Sequence, residues 1–267
     1  MNENWKKFKY NAFVYAADIE NPVTLRDDEK AHILAGRYPD EDMMEYVWAA
    51  DAPGPVLEVI GSESGMLSFL PRAWVPAFEA AGFSVRSVFR DYWKNDLSDL
   101  SDVCALEKLT DAAEAAAVAN ACAGQSRGFT GAKTELMRQW IGGSPEGARD
   151  AAVLGVRDAD GILAGVVMTG LYGDGSEKGP VAWVRMIAVR PDRQNRGLGR
   201  MLVMAALSHG KRHGGSRAFL AADDENRNGI HLYESLSFVP MADEEEIAMW
   251  RRDEGDAGTP PRTPLKG

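Results

Sequence analysis

The chain has 267 residues, 45% of them hydrophobic, and a formal net charge of −10; this is enough for one large core or two modest ones. So acidic a balance, with a pI near 5.0, argues against a broad nucleic-acid-binding surface and is compatible with attraction of a cationic substrate. No stretch approaches the ~20 apolar residues that span a bilayer, and MNENWKKFKYNAF lacks an apolar signal core. The expectation is a soluble, cytoplasmic protein with no membrane contact and no nucleic-acid partner. His32, His209, His213 and His231 show no metal-ligand spacing, and neither do Cys104 and Cys122. The cysteines read as buried or half-buried thiols of a reducing compartment.

In chain order, NENWKKFKY and DEDMMEYVWAA read as helices, and PVLEVI, Pro55 to Ile60, as a strand ended by Gly61 and Ser62. PRAWVPAFEAAGF reads as a helix stopped by Gly82. SVRSVFRDYW alternates with period two and predicts a strand. KNDLSDLS, residues 94–101, is a polar break, placed here as the boundary between an N-terminal α/β domain, 1–99, and a second domain, 100–252. VCAL suits a short strand. Asp111 to Ala123 suits a helix with Thr110 as N-cap, and Lys133 to Ile141 a second, closed by Gly142 and Gly143. AAVLGVRD and ILAGVVMTGLY form a hairpin through Ala159, Asp160 and Gly161. A polar loop, Gly173 to Gly179, leads to a third strand, VAWVRMIAV. A helix to about His213, a strand AFLAA, a helix GIHLYESL and a strand EEIAMWRR complete the order. The tail 253–267, rich in Gly, Pro and charge, is expected to be disordered.

The chemistry concentrates in RPDRQNRGLGRMLVMAAL, Arg190 to Leu207. The first turn of a helix leaves N–H groups unsatisfied and carries a partial positive charge. Gly197 and Gly199 remove side chains that would keep an anion from those donors. Four arginines against one aspartate between 190 and 200 leave a local excess of +3. The corner suits a phosphate or diphosphate. A dinucleotide fingerprint would need a glycine where Leu202 stands, with Asp223 as its ribose ligand, and no Walker-type GxxxxGK[ST] occurs. A loop that merely turns, with solvated arginines, is the remaining alternative.

Gln194-Asn195-Arg196-Gly197-Leu198-Gly199 resembles the Q/R-x-x-G-x-G/A signature of the GNAT superfamily of acetyl-CoA-dependent N-acyltransferases. MIAVRP resembles that family's strand into the cofactor loop. AADDENRNGIHLYESLSF resembles its second motif, with Asn226, Tyr233 and Phe238 in place. The order of elements over about 100–252 fits as well. The resemblance implies an α/β (α+β) GNAT fold, a central mixed, mostly antiparallel sheet flanked by helices, beside a smaller N-terminal α/β domain.

It further implies acetyl-CoA as cosubstrate. Backbone N–H groups of Gln194, Asn195, Arg196, Gly197, Leu198 and Gly199 would hold its diphosphate, with Arg200 opening the helix. Ile187, Ala188 and Val189 would pair with its pantetheine arm. Asn226 would contact that arm or cap its own helix, and both readings stand. Tyr233 would protonate the leaving thiolate. The general base stays open: VAWVRMIAV holds no carboxylate, and Asp174, Glu177, Asp223, Asp224 or ordered water are alternatives. Arg185 faces the acceptor, reaches a cofactor phosphate, or is an edge charge.

The first hundred residues could cap the acceptor cleft, mediate a homodimer, or be a decayed copy of half the same fold. AFEAAGFSVRSVF, 77–89, echoes HLYESLSFVPM, with Phe78 at the tyrosine's place. The expected activity is acetyl transfer to a primary amine of a small molecule by direct attack in a ternary complex. A protein N-terminal or lysine acetyltransferase and a non-catalytic acyl-CoA-binding module are the alternatives.

Overall fold

The computed structural model describes residues 3–252 except 14–15, 17–18, 39–42, 101–105, 144 and 146. Cys104, most of VCAL and the tail from 253 lie outside the described residues. The chain divides into two compact units. One runs to Phe89 and takes back the chain from Glu245; the other is Arg90–Glu244.

The first unit opens with a 3-10 turn at Asn4–Lys7, then β1 (Tyr10–Asn11), β2 (Glu20–Asp27), β3 (Ala31–Arg37) and β4 (Glu45–Ala50). It continues through α1 (Pro53–Ile60), β5 (Gly65–Leu67) and α2 (Val75–Ala80) into β6 (Ser84–Lys94). Its sheet order is β2-β3-β4-β5, then the C-terminal part of β12 (Val239–Arg251), with β1 on β4. The β2-β3 and β3-β4 pairs are antiparallel and β4-β5 is parallel. Met249 of β12 lies antiparallel opposite Leu67. Asp28 turns the first hairpin, its Oδ1 accepting the N–H of Lys30 at 2.7 Å and of Ala31 at 3.0 Å. Trp48, Ile60, Trp74, Phe78 and Met249 share one core.

Three sequence readings fail in this unit: NENWKKFKY gives only a 3-10 turn before β1, and two others exchange helix and strand. DEDMMEYVWAA ends in a strand, because all six residues of β4 are buried between neighbours and so lack the two-residue alternation of a half-exposed strand. PVLEVI is the helix α1: Pro53 takes the first helical position, where its missing N–H costs nothing, and Val56 and Ile60, four apart, carry the buried side.

The second unit contains the end of β6, β7 (Glu107–Lys108), α3 (Ala112–Ala121), α4 (Thr134–Ile141) and the hairpin β8 (Arg149–Arg157) and β9 (Leu163–Tyr172). Then come β10 (Val181–Val189), α5 (Leu198–Arg212), β11 (Arg217–Asp223) and α6 (Arg227–Ser235). The sheet order is β6-β11-β10-β9-β8-β7, with β10-β11 parallel and β8-β9-β10 antiparallel. The mixed, mostly antiparallel sheet flanked by helices is as expected. One face carries α5 and α6 over Ala182, Val184, Ala218 and Leu220. The other carries α3 and α4 over Val153, Val166, Met168 and Ala188. Asp111, rather than Thr110, caps α3: its carboxylate accepts the N–H groups of Ala113 and Glu114 at 2.9 and 3.0 Å.

Glycines seat α5 close against the sheet. A Cβ on Gly210 would lie 2.2 Å from that of Ala182, and one on Gly165 would lie 2.9 Å from Leu202. The start of α5 is thereby set relative to β9 and β10.

The two units share an element order: hairpin, strand, helix, parallel strand, helix, strand. At the second helix the backbone bonds repeat residue for residue. The N–H of Phe83 donates to Phe78 at 3.0 Å, and that of Phe238 to Tyr233 at 3.1 Å. Ala81 donates to Phe78 at 3.1 Å, and Leu236 to Tyr233 at 3.0 Å.

Candidate functional site

The parallel ladder of β10 and β11 covers Val181 to Trp183 against Arg217 to Phe219. Both strands continue beyond it, to Val189 and Asp223. Ile187, Ala188 and Val189 are meanwhile held from the other side by Val167, Val166 and Gly165 of β9. This stretch of β10 thus turns one hydrogen-bonding edge toward a gap, where the Val189 carbonyl already has side-chain donors.

A β-bulge lies between Val184 and Met186. Val184 packs with α5 and α6, and Met186 with α3 and α4. Arg185 is the residue the bulge inserts, which explains an exposed charge in the middle of a strand. Its guanidinium lies over the Trp183 ring, 5.4 Å from the centroid.

After Val189 a 3-10 turn, Pro191–Arg193, leads to Asn195 at φ +60 and Gly197 at φ +77, the N-cap of α5. No side chain caps this helix. The first helical bond is from Met201 N to Gly197 O at 3.1 Å. Among the described residues, the N–H groups of Leu198, Gly199 and Arg200 therefore have no protein acceptor. A Cβ on Gly197 would meet nothing within 4 Å, so the space before these donors is open.

The arginines divide. Arg193 bonds Asp158 of the β8-β9 turn at 2.8 Å and Asp192 at 2.5 Å, and Arg190 pairs with Asp192 at 3.5 Å. Among the described residues, Arg196 donates only to the backbone oxygen of Asp192, and Arg200 only to the Ser235 hydroxyl. The positive excess counted along the sequence is thus partly cancelled by Asp158, from a distant turn; Arg196 and Arg200 keep their charge beside the open N–H groups.

The segment 122–127, after α3, bridges the two diverging strands. On one side the Cys122 thiol donates to the Val189 carbonyl at 3.1 Å. Gln194 donates from Nε2 to that carbonyl at 3.0 Å and to Gln125 at 2.7 Å. Burial pushes the thiol pKa up, which keeps Cys122 a donor. On the other side, Arg127 bonds Asp223 at 3.1 Å, Glu225 at 2.9 Å, and Asp224. Asp223 is 2% exposed, and its other oxygen accepts the Glu225 N–H at 3.0 Å. Of the open alternatives for a base, Asp223 is thus held by an arginine, and so is Asp174, which Arg149 grips with two nitrogens at 2.6 and 2.7 Å.

Asn226 caps α6, its Oδ1 accepting the Gly229 N–H at 3.1 Å. A Cβ on Gly229 would sit 2.6 Å from Asn226 Nδ2, so the cap depends on that glycine. Tyr233, one turn on, is 9% exposed, and its ring lies 6.3 Å from that of Phe238. Burial pushes its pKa up to about 12, with Tyr92 adding to the shift, so the phenol is protonated at neutral pH. The Tyr92 ring of β6 is 6.3 Å away. Tyr92 was missed in the sequence because its only signal is strand parity, and it meets Tyr233 from far along the chain.

Among the described residues no helix is long and apolar enough to cross a membrane, and no group of His, Cys, Asp and Glu could hold a metal ion.

Residues 118–238 match the model of the Acetyltransferase (GNAT) family. A mycothiol acetyltransferase of Thermomonospora curvata is 36% identical over 93 residues, 35% of this chain and 30% of that protein. The chain thus matches less than a third of that relative's length. The crystal structure of a GCN5-related N-acetyltransferase from Kribbella flavida superposes with a TM-score of 0.52 at 18% identity, over 94% of this chain and 92% of that one. A tandem GNAT protein from the clavulanic acid biosynthesis pathway gives 0.51 at 17% identity, over 83% and 78%. These two likenesses concern the fold.

Proposed function

We propose that the chain, whose residues 118–238 match the GNAT acetyltransferase family model, is an acetyl-CoA-dependent N-acetyltransferase acting on a primary amine of a small molecule. The observation that carries this reading is the start of α5: three bare N–H groups, open space before Gly197, and two uncancelled arginines, all at the end of a strand that parts from its neighbour. Acetyl-CoA, the family's cosubstrate in general, supplies an activated acetyl group and a thiolate leaving group.

The chain's own residues divide the remaining work. N–H groups between Gln194 and Arg200 hold the diphosphate, with Arg196 and Arg200 beside it. Ile187, Ala188 and Val189 offer the edge that holds the pantetheine arm straight. Asn226 keeps α6 in register, its amide nitrogen being the half its cap does not use. Tyr233, protonated at neutral pH, supplies the proton to sulfur. The name of the Thermomonospora relative, mycothiol acetyltransferase, supports a small-molecule acceptor. Direct attack in a ternary complex needs no nucleophile from the chain.

The domain organisation follows the same reading. The unit up to Phe89 is a degenerate second copy of the fold, with Phe78 in place of the tyrosine, so one site is active. The repeated backbone bonds support it, and the likeness to a tandem GNAT protein agrees with it. Calorimetry with coenzyme A and acetyl-CoA, followed by thiol release with a panel of amines, tests the whole. No uptake of either ligand ends this reading, and uptake without thiol release from any amine leaves a binding module.

A further inference from the structure

On the α4 face of the second unit, aromatic rings touch in an unbroken row. Trp93 of β6 lies 5.1 Å from Phe219 of β11 and Phe219 6.1 Å from Tyr172 of β9. Tyr172 is in turn 5.9 Å from Trp183 of β10, and Trp183 is 5.6 Å from Trp140 of α4. Only Trp140 is fully buried; the other four are partly exposed. The reason is the helix layer. The helices α3 and α4 pack on β8, β9 and β10, and β11 with the end of β6 lies beyond them. The row therefore floors a trough open to solvent, walled on one side by α4.

The trough has a polar end. Arg217, on the same side of β11 as Phe219, stacks its guanidinium over Trp93 at 5.1 Å from the ring centroid. Its Nε is buried and has no hydrogen-bond acceptor. The residue as a whole is partly exposed, so a ligand oxygen can approach its guanidinium, a charge-assisted donor. Asp91, two residues before Trp93, is an acid on this face, and it bears on Tyr172 together with Arg217.

Position joins the trough to the site. Trp183 and Phe219 are the last residues paired before β10 and β11 part. An acyl group carried along the gap from Val189 ends beside them.

We infer that this trough seats the acceptor, and that the acceptor is a primary aliphatic amine that also carries an aromatic ring and a carboxylate, its ring on Trp93 and Phe219 and its carboxylate on Arg217. Edge and face contacts with the exposed rings favour a planar body over an aliphatic one. The partly exposed guanidinium of Arg217 selects the anion. The inference rests on the acetyltransferase reading, since it takes the amine to be what the gap delivers acetyl to.

The test is calorimetry of L-tryptophan and of tryptamine, which lacks only the carboxylate, against the full chain saturated with coenzyme A. L-Tryptophan should bind about 10- to 100-fold tighter, the weight of one charge-assisted hydrogen bond. In Arg217→Gln, with an unchanged melting temperature, the two should come within about threefold of each other. L-Leucine should bind more weakly than L-tryptophan in both proteins. Equal affinities for L-tryptophan and tryptamine in the unmutated chain, or no uptake of either, overturn the inference without recourse to the variant. Uptake of coenzyme A alone would sink this inference and leave the acetyltransferase reading standing; failure of coenzyme A to bind would sink that reading itself.

Discussion

The starts of α1 and α5 occupy the same place in the two units, each following a strand that continues into a parallel neighbour, yet they are chemically opposite. The helix α1 begins two residues after β4, with Pro53 first and Pro55 third, so only Gly54 of its first three residues retains an N–H. The helix α5 begins after an eight-residue excursion, 190–197, and bares the N–H groups of Leu198, Gly199 and Arg200. One turn has been sealed and the other opened. The second helices differ in the same sense, with Phe78 fully buried where the other unit has Tyr233. On the proposed reading the first unit keeps the packing without the ligand chemistry, because the packing depends on apolar surface and the chemistry on a few donors.

The comparison breaks most directly if the α1 pattern is grafted onto α5. Leu198→Pro with Arg200→Pro removes two of the three bare donors, and proline is tolerated in a helix's first turn. Coenzyme A affinity should fall at least about 100-fold, the loss of two hydrogen bonds to a charged group together with the Arg200 charge. Calorimetry measures it, and a circular dichroism melt checks the fold. An affinity within about threefold of the parent would mean that the diphosphate lies elsewhere.

Tyr233→Phe grafts the other difference. Turnover should drop about 100-fold while coenzyme A affinity holds within about threefold, since only the proton donor is removed. Steady-state thiol release with a matched binding isotherm separates the two. Undiminished turnover would reduce Tyr233 to a core residue. The reciprocal Phe78→Tyr should add no activity and should cost about 1–3 kcal/mol in urea unfolding, because it buries a hydroxyl where a fully buried ring now sits.

What could be read from the chain follows the same division. The β10-loop-α5 segment was legible because Pro191, Gly197 and Gly199 punctuate it, and because an apolar helix pattern follows at once. The hairpin β8-β9 was legible from its turn residues. Strand β4 was not, since complete burial erases the alternation that marks a strand. Hairpin β2-β3 carried no pattern to read, with β2 almost wholly exposed. At the candidate site, the sequence pointed to residues of one strand, one loop and one helix. It could not supply partners brought by topology: Asp158 beside Arg193, Tyr92 beside Tyr233, or the bridge from Cys122 to Arg127. The bulge that explains Arg185 is a feature of pairing, which a single strand's sequence does not display.

The length of α5, fifteen residues against eight in α1, sharpens the comparison further. The extra turns are seated on β10 through Gly210 and Ala182. Gly210→Ala should destabilise by about 1–3 kcal/mol, as overpacking does, and should shift the start of α5 enough to weaken coenzyme A binding a few-fold. Urea unfolding and calorimetry on the same preparation give both numbers. Because the contact is with backbone-anchored Ala182, the strain has little room to relax. An unchanged unfolding midpoint would show that α5 is not held at this point.

The smallest expected effect comes from alkali. The folded-state pKa of Tyr233, about 12, lies above the ordinary value of 10. Between these values the native protein keeps a proton that the unfolded chain has lost, so stability falls as pH rises. The contribution is fully present below pH 10. It is lost progressively from there and gone above about 12, amounting to about 1 kcal/mol at pH 11. Tyr233→Phe has no such proton, so the gap in urea midpoint between parent and variant should change in the variant's favour from pH 9 to pH 11. Parallel curves over that range would mean that the phenol is far better solvated than its packing against Tyr92 and Phe238 implies, and a well-solvated phenol would leave Tyr233 with no more than the reach of an ordinary surface tyrosine.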